Sequence, residues 1–363
     1  MQRILTSILL ILITIHLPAQ TTKRTPFEKL VKKGDVYYLD NVLFTGISLS
    51  FFPDTETRQR WQEIEWANGK INGYFKTWNQ KGLLVQEIYY QNGVRHGSYK
   101  GWFPNGKPYI VTSYKNGERH GMYHEYYNTG QRKREVNFVD GKEDGKQTLW
   151  FDNGTIEQTS SFKNGVPDGV VSSYSRHGNL RKQVSYKDGL RDGPSLVYHI
   201  NGTVGERVDY KEGFRHGEKV VYDQAGKVLM SEKYEKGQLE GPSVQYDFNG
   251  LKLEETNYHL GQKHGTYTKW IDNVIDTKGE YVHDQRQGEW VENASKEETK
   301  SYGAYLNDKK HGPWVLGNTR LFGKQEGSFH EGYKDGTWTI YDHSGKKIRV
   351  EKWDKGQLLN VSE

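Results

Sequence analysis

Short apolar segments alternate with polar, glycine-containing segments along almost the whole chain. Segments 98–103 and 107–114 are typical, because both are rich in aromatic and β-branched residues and shorter than an average helix. Glycine punctuates the segments, often directly after asparagine, as in Asn105-Gly106. This pattern predicts many β-strands joined by tight turns.

The glycines recur with a period of 24 residues. The first series consists of Gly69, Gly93, Gly117, Gly141, Gly165, Gly189, Gly213, Gly237 and Gly261. A second series lies four residues later, from Gly73 to Gly265, and a third runs from Gly82 to Gly250. One residue is lost after Gly265, and the period then resumes. The sequence therefore predicts an all-β fold, an elongated single-layer antiparallel β-meander of tandem hairpins of about 24 residues, repeated about twelve times.

Two kinds of turn are expected in each repeat. Both residues of an Asn-Gly pair tolerate positive φ, so we expect type I′ hairpin turns at Asn105-Gly106, Asn153-Gly154 and Asn201-Gly202. At the other end of the repeat, segments 115–121 and 163–169 predict a longer turn.

Two columns of aromatic residues share this period. The first column consists of Trp78, Trp102, Tyr126, Trp150, Tyr174, Tyr198, Tyr222, Tyr246 and Trp270. The second consists of Tyr90, Tyr114, Phe138, Phe162, Tyr186, Tyr210, Tyr234, Tyr258, Tyr281, Tyr305, Phe329 and Trp353. A fixed position on successive hairpins predicts that each column is a ladder in which neighbouring rings pack. The rings either hold the sheet together or present one side of it to a ligand.

Composition supports a folded repeat protein without a conventional core. Hydrophobic residues make up 34% of the chain and aromatic residues 13%, and so many aromatics argue against disorder. One hairpin cannot bury its apolar face alone, so stability has to come from stacking on neighbours. The 51 basic and 46 acidic residues give a net charge of +5, which does not imply nucleic acid as a partner. The absence of cysteine excludes disulfides, thiolate metal sites and a cysteine nucleophile.

The N-terminus predicts export. Arg3 precedes an apolar run over 4–17, which ends in Pro18-Ala19. We expect residues 1–19 to be a secretion signal peptide cleaved after Ala19, because the run is shorter than a membrane span, although an uncleaved anchor stays open. The predicted location is extracytoplasmic: periplasmic, cell-surface or secreted.

The period also divides the remainder of the chain. Residues 20–65 lack it and predict an N-terminal capping segment with a divergent hairpin, as the exposed edge of a stack requires. Residues 66–271 hold the regular repeats, and 272–363 hold divergent C-terminal repeats. We expect the least regular loop within 272–303.

The array of Tyr-x-Asn-Gly-x-x-x-Gly units, each followed by a phased Tyr or Trp and a further glycine, resembles the MORN-repeat variant family. The resemblance extends over about residues 66–357. It implies a single-layer, twisted antiparallel sheet that serves protein binding, membrane attachment or scaffolding. Members of the family are often named as antitoxin components.

Histidines recur just before the second glycine series, at His96, His120, His216, His264 and His311. Such a column is a candidate metal site or pH switch. Equivalent positions on successive hairpins lie about 9.5 Å apart at ~4.8 Å per strand, whereas a metal ion holds its ligands at ~2 Å. Asp and Glu occupy the same position in other repeats, so we interpret the column as a polar requirement of the turn.

No catalytic motif is complete. His124-Glu125 lacks the second histidine of a zinc protease motif, and Ser48 lacks the glycines of a nucleophile elbow. The sequence therefore predicts a non-enzymatic exported scaffold that needs no cofactor and binds an unknown protein or peptide along its sheet. One alternative is envelope attachment, in which basic turns such as 132–134 and 309–310 contact anionic lipid or glycan. Another is an antitoxin-like component of a toxin–antitoxin module.

Overall fold

A computed structural model of the protein describes residues 23–53 and 58–363. The predicted signal peptide, residues 1–19, lies outside the described residues. The chain divides into two compact units, the first ending at Lys142 and the second beginning at Glu143.

The first unit is built almost entirely from strands. They are β1 (Arg24–Pro26), β2 (Val31–Lys33), β3 (Val36–Leu39), β4 (Val42–Leu43), β5 (Gly46–Phe51), β6 (Arg60–Ala67), β7 (Lys70–Trp78), β8 (Leu84–Gln91), β9 (Val94–Trp102), β10 (Pro108–Lys115), β11 (Glu118–Arg119), β12 (Gly121–Tyr126) and β13 (Arg132–Val139). A single turn of 3-10 helix, Phe27–Lys29, follows β1.

The second unit continues the same alternation of strands and turns. Its strands are β14 (Lys142–Trp150), β15 (Ile156–Lys163), β16 (Val166–Pro167), β17 (Gly169–Tyr174), β18 (Leu180–Lys187), β19 (Leu190–Tyr198), β20 (Val204–Lys211), β21 (Phe214–Tyr222), β22 (Val228–Glu235), β23 (Gln238–Leu239), β24 (Gly241–Tyr246), β25 (Lys252–His259), β26 (Gln262–Ile271), β27 (Val274–Val282), β28 (Gln285–Glu292), β29 (Ser301–Leu306), β30 (Lys309–Leu316), β31 (Gln325–His330), β32 (Tyr333–Tyr341), β33 (Lys347–Asp354) and β34 (Gln357–Ser362). A 3-10 turn, Glu297–Thr299, precedes β29.

Within each unit, strands that follow one another in sequence pair antiparallel and form an open meander of hairpins. The exceptions lie at the N-terminal end, where β1 pairs parallel to β5 and where β2, β3 and β4 form a separate small sheet. The prediction of an all-β class and of a meander of tandem hairpins is confirmed.

The tight type I′ turns lie at the first glycine series. Asn116 and Gly117 have φ of 53° and 92°. Lys115 pairs with Glu118, so the hairpin loop between β10 and β11 has two residues, both with positive φ. Segments 115–121 and 163–169, which predicted longer turns, therefore begin with the shortest turns of the sheet.

The other edge of the sheet carries three-residue loops. Gly106 has φ of 82°, whereas Asn105 lies outside the positive-φ region. The Gly106 N–H donates to Phe103 O at 2.9 Å, and the Phe103 N–H donates to Lys107 O at 2.8 Å. This is a type I turn followed by a left-handed glycine. The prediction of type I′ turns at Asn105-Gly106, Asn153-Gly154 and Asn201-Gly202 is wrong. These loops have three residues, and in each of them the glycine has positive φ while the asparagine does not.

Glycines of the second series lie at bulges inside the strands. In β19, four positions separate Arg191 from Ser195, while two positions separate their partners in β18, Tyr186 and Val184. Gly193, within the longer side, has φ of 98°. A bulge of this kind increases the local twist and needs a residue that tolerates the left-handed region.

Apolar cores of the first unit are small and local. Near the N-terminus, Phe44, Ile64 and Trp66 are buried, and Phe27 and Tyr37 pack against them. A second cluster further along the sheet contains Ile110, Tyr123, Val136 and Phe138. Each cluster draws on neighbouring hairpins, so cohesion passes from repeat to repeat.

The C-terminal part of the second unit holds a continuous chain of packed rings. Successive ring centroids lie 5.0 to 6.2 Å apart and join Tyr267, Tyr281, Trp290, Tyr305, Trp314, Phe329 and Trp338. The prediction that neighbouring rings of the second column pack on each other is therefore wrong here, because Tyr281, Tyr305 and Phe329 are joined only through other rings. The bridging set was not predicted as a column and consists of Tyr267, Trp290, Trp314 and Trp338. Each of these tryptophans lies over a glycine of the preceding strand: Gly279, Gly303 or Gly327.

Two irregular loops interrupt the C-terminal repeats. Residues 293–300 surround the 3-10 turn Glu297–Thr299 within the region where the least regular loop was expected, and the rest of that region is mostly strand. A second loop, 317–324, was not predicted.

Candidate docking surface

The two aromatic columns lie on opposite faces of the second unit's sheet. Gly193 pairs with Tyr210 and Ser195 with Val208, which places Ser195 and Tyr210 on one face. Side chains alternate along β19, so Tyr198, three residues after Ser195, points to the other face. We call the face with Tyr186, Tyr210 and Tyr234 the ring face.

Arginines cover the rings of the ring face. Arg191 lies 5.2 Å over the Tyr210 ring and donates from Nη1 to Tyr210 Oη at 3.2 Å. Arg215 is placed in the same way over Tyr234, at 5.2 Å and 3.3 Å. Hydrogen bonds to the hydroxyls of Tyr186 and then Tyr210 raise the pKa of Arg191. The cations and rings of this face therefore bind one another, which suits a cohesive role.

The opposite face of the second unit carries the first aromatic column at the ends of its strands. We call its central part, Tyr174, Tyr198, Tyr222 and Tyr246, the tyrosine strip. All four side chains are partly buried. Within the described residues, no ring contact joins any two of them, so the prediction that neighbouring rings of this column pack is wrong here. One strand lies between the strands of successive rings, and aliphatic side chains such as Val204 fill the interval.

Aliphatic residues form the floor between the rings. Leu180, Val204 and Val228 pair in register with Tyr174, Tyr198 and Tyr222. Each therefore lies on the same face as its tyrosine. Deeper along the strands, Val220 and Val244 are 8% and 6% exposed on this face. The tyrosine strip is thus an alternation of rings and aliphatic side chains.

Two recesses open beside the tyrosine strip, one repeat apart. The first, about 280 Å³, is lined by Leu180, Arg181 and Tyr198 and by residues of the adjacent loops, which include His177 and His199. The second, about 420 Å³, is lined by Leu196, Val204 and Tyr222, with Arg207 at its side. Each recess combines aliphatic side chains with a tyrosine ring and an arginine, Arg181 in the first and Arg207 in the second.

Several polar groups that border the tyrosine strip are paired with each other. Tyr198 Oη donates to Gln183 Oε1 at 2.6 Å, and Gln183 Nε2 donates to Ser172 Oγ at 3.2 Å. The charge of Arg207 is balanced by Asp209, 3.1 Å away. The Tyr198 ring is therefore fixed by an internal hydrogen bond, while Arg181 places a positive charge in the first recess.

The remaining members of the first column end strands in a similar way. Trp78, Trp102 and Tyr126 end β7, β9 and β12 in the first unit, and Trp150 and Trp270 lie in β14 and β26 of the second. Cations cover two of these rings: Arg60 lies 5.1 Å over Trp78, and Lys252 lies 5.8 Å over Trp270. Trp78, Trp150 and Trp270 also pair with aliphatic residues, which are Leu84, Ile156 and Ile275.

Loops at the edge beside the tyrosine strip are linked from repeat to repeat. Asn201 Nδ2 donates to Gln224 O at 2.9 Å, and Asn153 Nδ2 donates to Arg176 O at 3.0 Å. Ile200 in the same loop is 86% exposed. The bonds hold the loops in line, and so they fix the rim of the recesses.

First-series glycines occupy the type I′ turns at the opposite edge. All nine predicted positions have positive φ: Gly69, Gly93, Gly117, Gly141, Gly165, Gly189, Gly213, Gly237 and Gly261. Their N–H groups donate to the preceding repeat, as in Gly189 to Pro167 O at 2.9 Å and Gly213 to Arg191 O at 2.8 Å. These glycines therefore have a structural role in stacking the turns.

One histidine of the column, His96, faces the backbone N–H of the next turn. The Asn116 N–H lies 3.5 Å from His96 Nδ1, and the equivalent Leu260 N–H donates to Glu240 Oε2 at 3.0 Å. Glu240 thus makes the contact that His96 makes in its own repeat, whereas Nδ1 of His264 and Nδ1 of His311 have no hydrogen-bond partner among the described residues. Across residues 23–53 and 58–363, no group of three or more His, Cys, Asp or Glu side chains is arranged to hold a metal ion.

The sequence alone did not predict the aliphatic floor. Leu180, Val204 and Val228 each lie two residues after a third-series glycine, so the 24-residue period carried the signal. Their pairing with the tyrosines became visible only with the register of the strands.

In the described part of the chain, no helix is long and apolar enough to cross a membrane.

Comparison with family models identifies three segments of the chain. Residues 95–116, 143–164 and 167–188 match the model described as MORN repeat variant. The recognition of this repeat family from the glycine and aromatic spacing is confirmed. No curated protein shows significant sequence similarity to the chain.

Solved structures that are similar over part of their length have low identity. The chain is 11% identical to the Photorhabdus luminescens Tc holotoxin pore, with 84% of this chain and 17% of that chain covered and a TM-score of 0.17. For alternansucrase in complex with isomaltononaose, the identity is 15%, the coverage 71% and 19%, and the TM-score 0.18. For TcdB2-TccC3 the values are 11%, 83% and 18%, and 0.16. The chain thus spans less than a fifth of the length of these three chains.

Proposed function

We propose that this chain, a repeat scaffold that contains MORN variant repeats, acts without catalysis as a docking surface for a protein or peptide. The observation that supports the proposal is the tyrosine strip, in which partly exposed rings alternate with aliphatic side chains on an otherwise polar sheet. Tyrosine is enriched among the residues that dominate protein interfaces, because it buries a large rigid surface at a small entropic cost.

The ring face offers less to a partner. Arg191 and Arg215 already stack on Tyr210 and Tyr234, so a ligand would have to break existing contacts to reach the rings. On the tyrosine strip, no cation of the described residues stacks on Tyr198 or Tyr222, and a recess opens beside each ring. We therefore assign docking to the tyrosine strip.

Basic turns supply less support for envelope attachment. Lys133 Nζ lies 2.7 Å from Glu125, and Arg132 Nη1 lies 2.5 Å from Glu135. At the other basic turn, Lys310 lies 3.5 Å from Glu292 and over the Trp314 ring. Because these cations have internal carboxylate partners, they attract an anionic surface more weakly than free lysines would. An extracytoplasmic location, which rests on residues 1–19, remains part of the proposal.

Capture of a partner by the full chain tests this function. The chain is immobilised and exposed to proteins extracted from the envelope of its own cells, and the captured proteins are quantified by mass spectrometry. The double variant Tyr198→Ser/Tyr222→Ser should reduce capture of the specific partner about tenfold or more, since an anchoring tyrosine contributes about 2 kcal/mol. The matched control, Val197→Ser/Val221→Ser, alters the ring face of the same strands and should leave capture unchanged. Equal losses in the two variants would contradict the proposal.

A further inference from the structure

One link between neighbouring loops is missing at the edge beside the tyrosine strip. In two repeats an asparagine makes this link: Asn153 Nδ2 donates to Arg176 O, and Asn201 Nδ2 donates to Gln224 O. His177 occupies the equivalent position between them, 24 residues from each asparagine. In the part of the chain that the structure describes, its imidazole makes no hydrogen bond. The loop of His177 is therefore not tied to the next loop in this way.

The recess beside Tyr198 lies where this link is missing. It has a volume of about 280 Å³, with His177 on one side and His199 and Ile200 of the next loop on the other. The imidazole of His199 is held in place, because its Nε2 lies 3.1 Å from Tyr222 O. A carbonyl oxygen only accepts, so Nε2 of His199 carries a proton. The recess therefore has one fixed wall and one wall whose polar group is unbonded.

Hydrogen-bond donors without a partner surround this recess. Among the described residues, no side-chain hydrogen bond or ion pair is made by His177, Asn179 or Arg181, and all three line the recess. None of the lining residues is acidic. The carboxylate of Asp152, in the preceding repeat, is paired with Arg176 at 2.5 Å. The positive charge of Arg181 is thus uncompensated, and an anion in the recess would meet a guanidinium and neutral donors together.

The shape and lining of the recess favour a carboxylate on an aliphatic stem. A carboxylate is planar and can accept two parallel hydrogen bonds from one guanidinium, as Arg181 offers. Leu180 and Tyr198 supply apolar surface beside the donors, against which the methylene groups of an acidic side chain can pack. A free phosphate ion has no apolar part and would leave this surface uncovered.

We propose that the recess beside Tyr198 binds the carboxylate of an aspartate or glutamate side chain of the docked partner. Arg181 forms the ion pair, and His177 and Asn179 donate hydrogen bonds to the carboxylate. This inference rests on the docking function proposed above and adds an acidic anchor to the chemistry of the partner.

Binding of a capped amino acid to the full chain tests the inference. The probe is N-acetyl-glutamate N-methylamide, and the corresponding glutamine compound is its uncharged isostere. Affinities are measured by saturation-transfer difference NMR at fixed ionic strength. We expect the glutamate compound to bind at least about tenfold more tightly than the glutamine compound, because only the carboxylate makes a charged hydrogen bond.

Two variants that remove the same charge locate the site. Arg181→Gln should weaken binding of the glutamate compound about tenfold. Lys182→Gln is the matched control, because Lys182 pairs in register with Val197 of the ring face and does not line the recess. We expect this control to leave the affinity unchanged.

His177→Asn tests the missing link. Asparagine at this position can donate to Ile200 O, as Asn153 and Asn201 donate to the loops that follow them. We expect the variant to unfold at a higher temperature and to bind the glutamate compound at least about fivefold more weakly, because the new bond closes the recess. This variant also tests the site if circular dichroism shows that Arg181→Gln misfolds.

The outcomes separate this inference from the docking function. Equal affinities for the glutamate and glutamine compounds would overturn it, as would equal losses in Arg181→Gln and Lys182→Gln. Inorganic phosphate that binds more tightly than the glutamate compound would overturn it in favour of a phosphate ligand. If the glutamate compound does not bind while capture of the envelope partner still depends on Tyr198 and Tyr222, the docking function holds and the acidic anchor is wrong. If it binds through Arg181 while capture is independent of both tyrosines, the carboxylate site holds and docking on the tyrosine strip is wrong.

Discussion

Substitution of Gly303 tests the packing of tryptophan on glycine in the C-terminal repeats. A Cβ atom at Gly303 would lie 2.4 Å from Cδ2 of Trp314 and 2.5 Å from its Cγ. The indole cannot easily move away, because Trp314 is 2% exposed and its Nε1 donates to Ala304 O at 2.9 Å. Lys310 closes the site further, with Nζ 3.9 Å from the ring centroid. Gly303→Ala therefore forces a fully enclosed ring to shift.

The cost of this shift follows from the contacts that Trp314 makes. Overpacking a core typically costs about 1–3 kcal/mol. The displaced ring also loses part of its edge-on contact with Tyr305, whose centroid lies 5.2 Å away. We expect Gly303→Ala to lower the free energy of unfolding by about 3 kcal/mol, at the upper end of that range. The backbone of Gly303 lies outside the positive-φ region, so the whole effect is steric.

A double-mutant cycle measures the steric part directly. Unfolding by urea, followed by far-ultraviolet circular dichroism, gives the cost of Gly303→Ala in the natural chain and in a Trp314→Leu background. Without the indole, the cost should fall by more than about 1 kcal/mol. Gly312→Ala serves as the control, because its φ of +70° strains alanine while no atom lies within 4 Å of the added carbon. The same cost for Gly303→Ala in both backgrounds would refute the reasoning.

Three further predictions concern turns, titration and the loop edge. Asn116→Ala should destabilise the chain by about 1 kcal/mol more than Asn116→Gly in urea unfolding, because alanine is strained at the φ of 53° that Asn116 adopts and glycine is not; equal costs would contradict the turn assignment. Burial raises the pKa of Tyr267 to about 12. The stability that this neutral side chain contributes below pH ~10 should therefore be lost as the pH rises toward 12. In unfolding measurements across this range, Tyr267→Phe should make the loss smaller. Asn201→Ala removes the bond to Gln224 O and should cost about 1 kcal/mol, measured by thermal unfolding, and no change would show that the loops are not linked.

Periodicity made most of the fold predictable. Glycines that recur every 24 residues, with apolar segments between them, predict a meander of hairpins. The turn types were harder, because Asn-Gly pairs occur at both edges of the sheet. Asn116-Gly117 closes a two-residue loop and Asn105-Gly106 ends a three-residue loop, and this difference depends on which residues pair across the hairpin. Strand register is a tertiary property, which local propensity does not determine.

The candidate site was predictable only in part. The period placed Tyr198 and Tyr222 in one column. The sequence did not reveal that this column and the column of Tyr210 lie on opposite faces. Bulges at glycines such as Gly193 interrupt the alternation of side chains along a strand, so the face cannot be counted from the sequence. The bridging tryptophans of the ring chain, such as Trp314, share the period only in the C-terminal repeats, and so they did not form a column along the whole sequence.

Photo-crosslinking from the two faces of the sheet tests the docking function most directly. Benzoylphenylalanine is placed at position 204 or 222 on the tyrosine strip and at position 197 or 221 on the ring face, and the full chain is irradiated with its envelope extract. We expect one partner to be crosslinked from positions 204 and 222 and no partner to be crosslinked from positions 197 and 221. Crosslinks from the ring face, with none from the tyrosine strip, would contradict it.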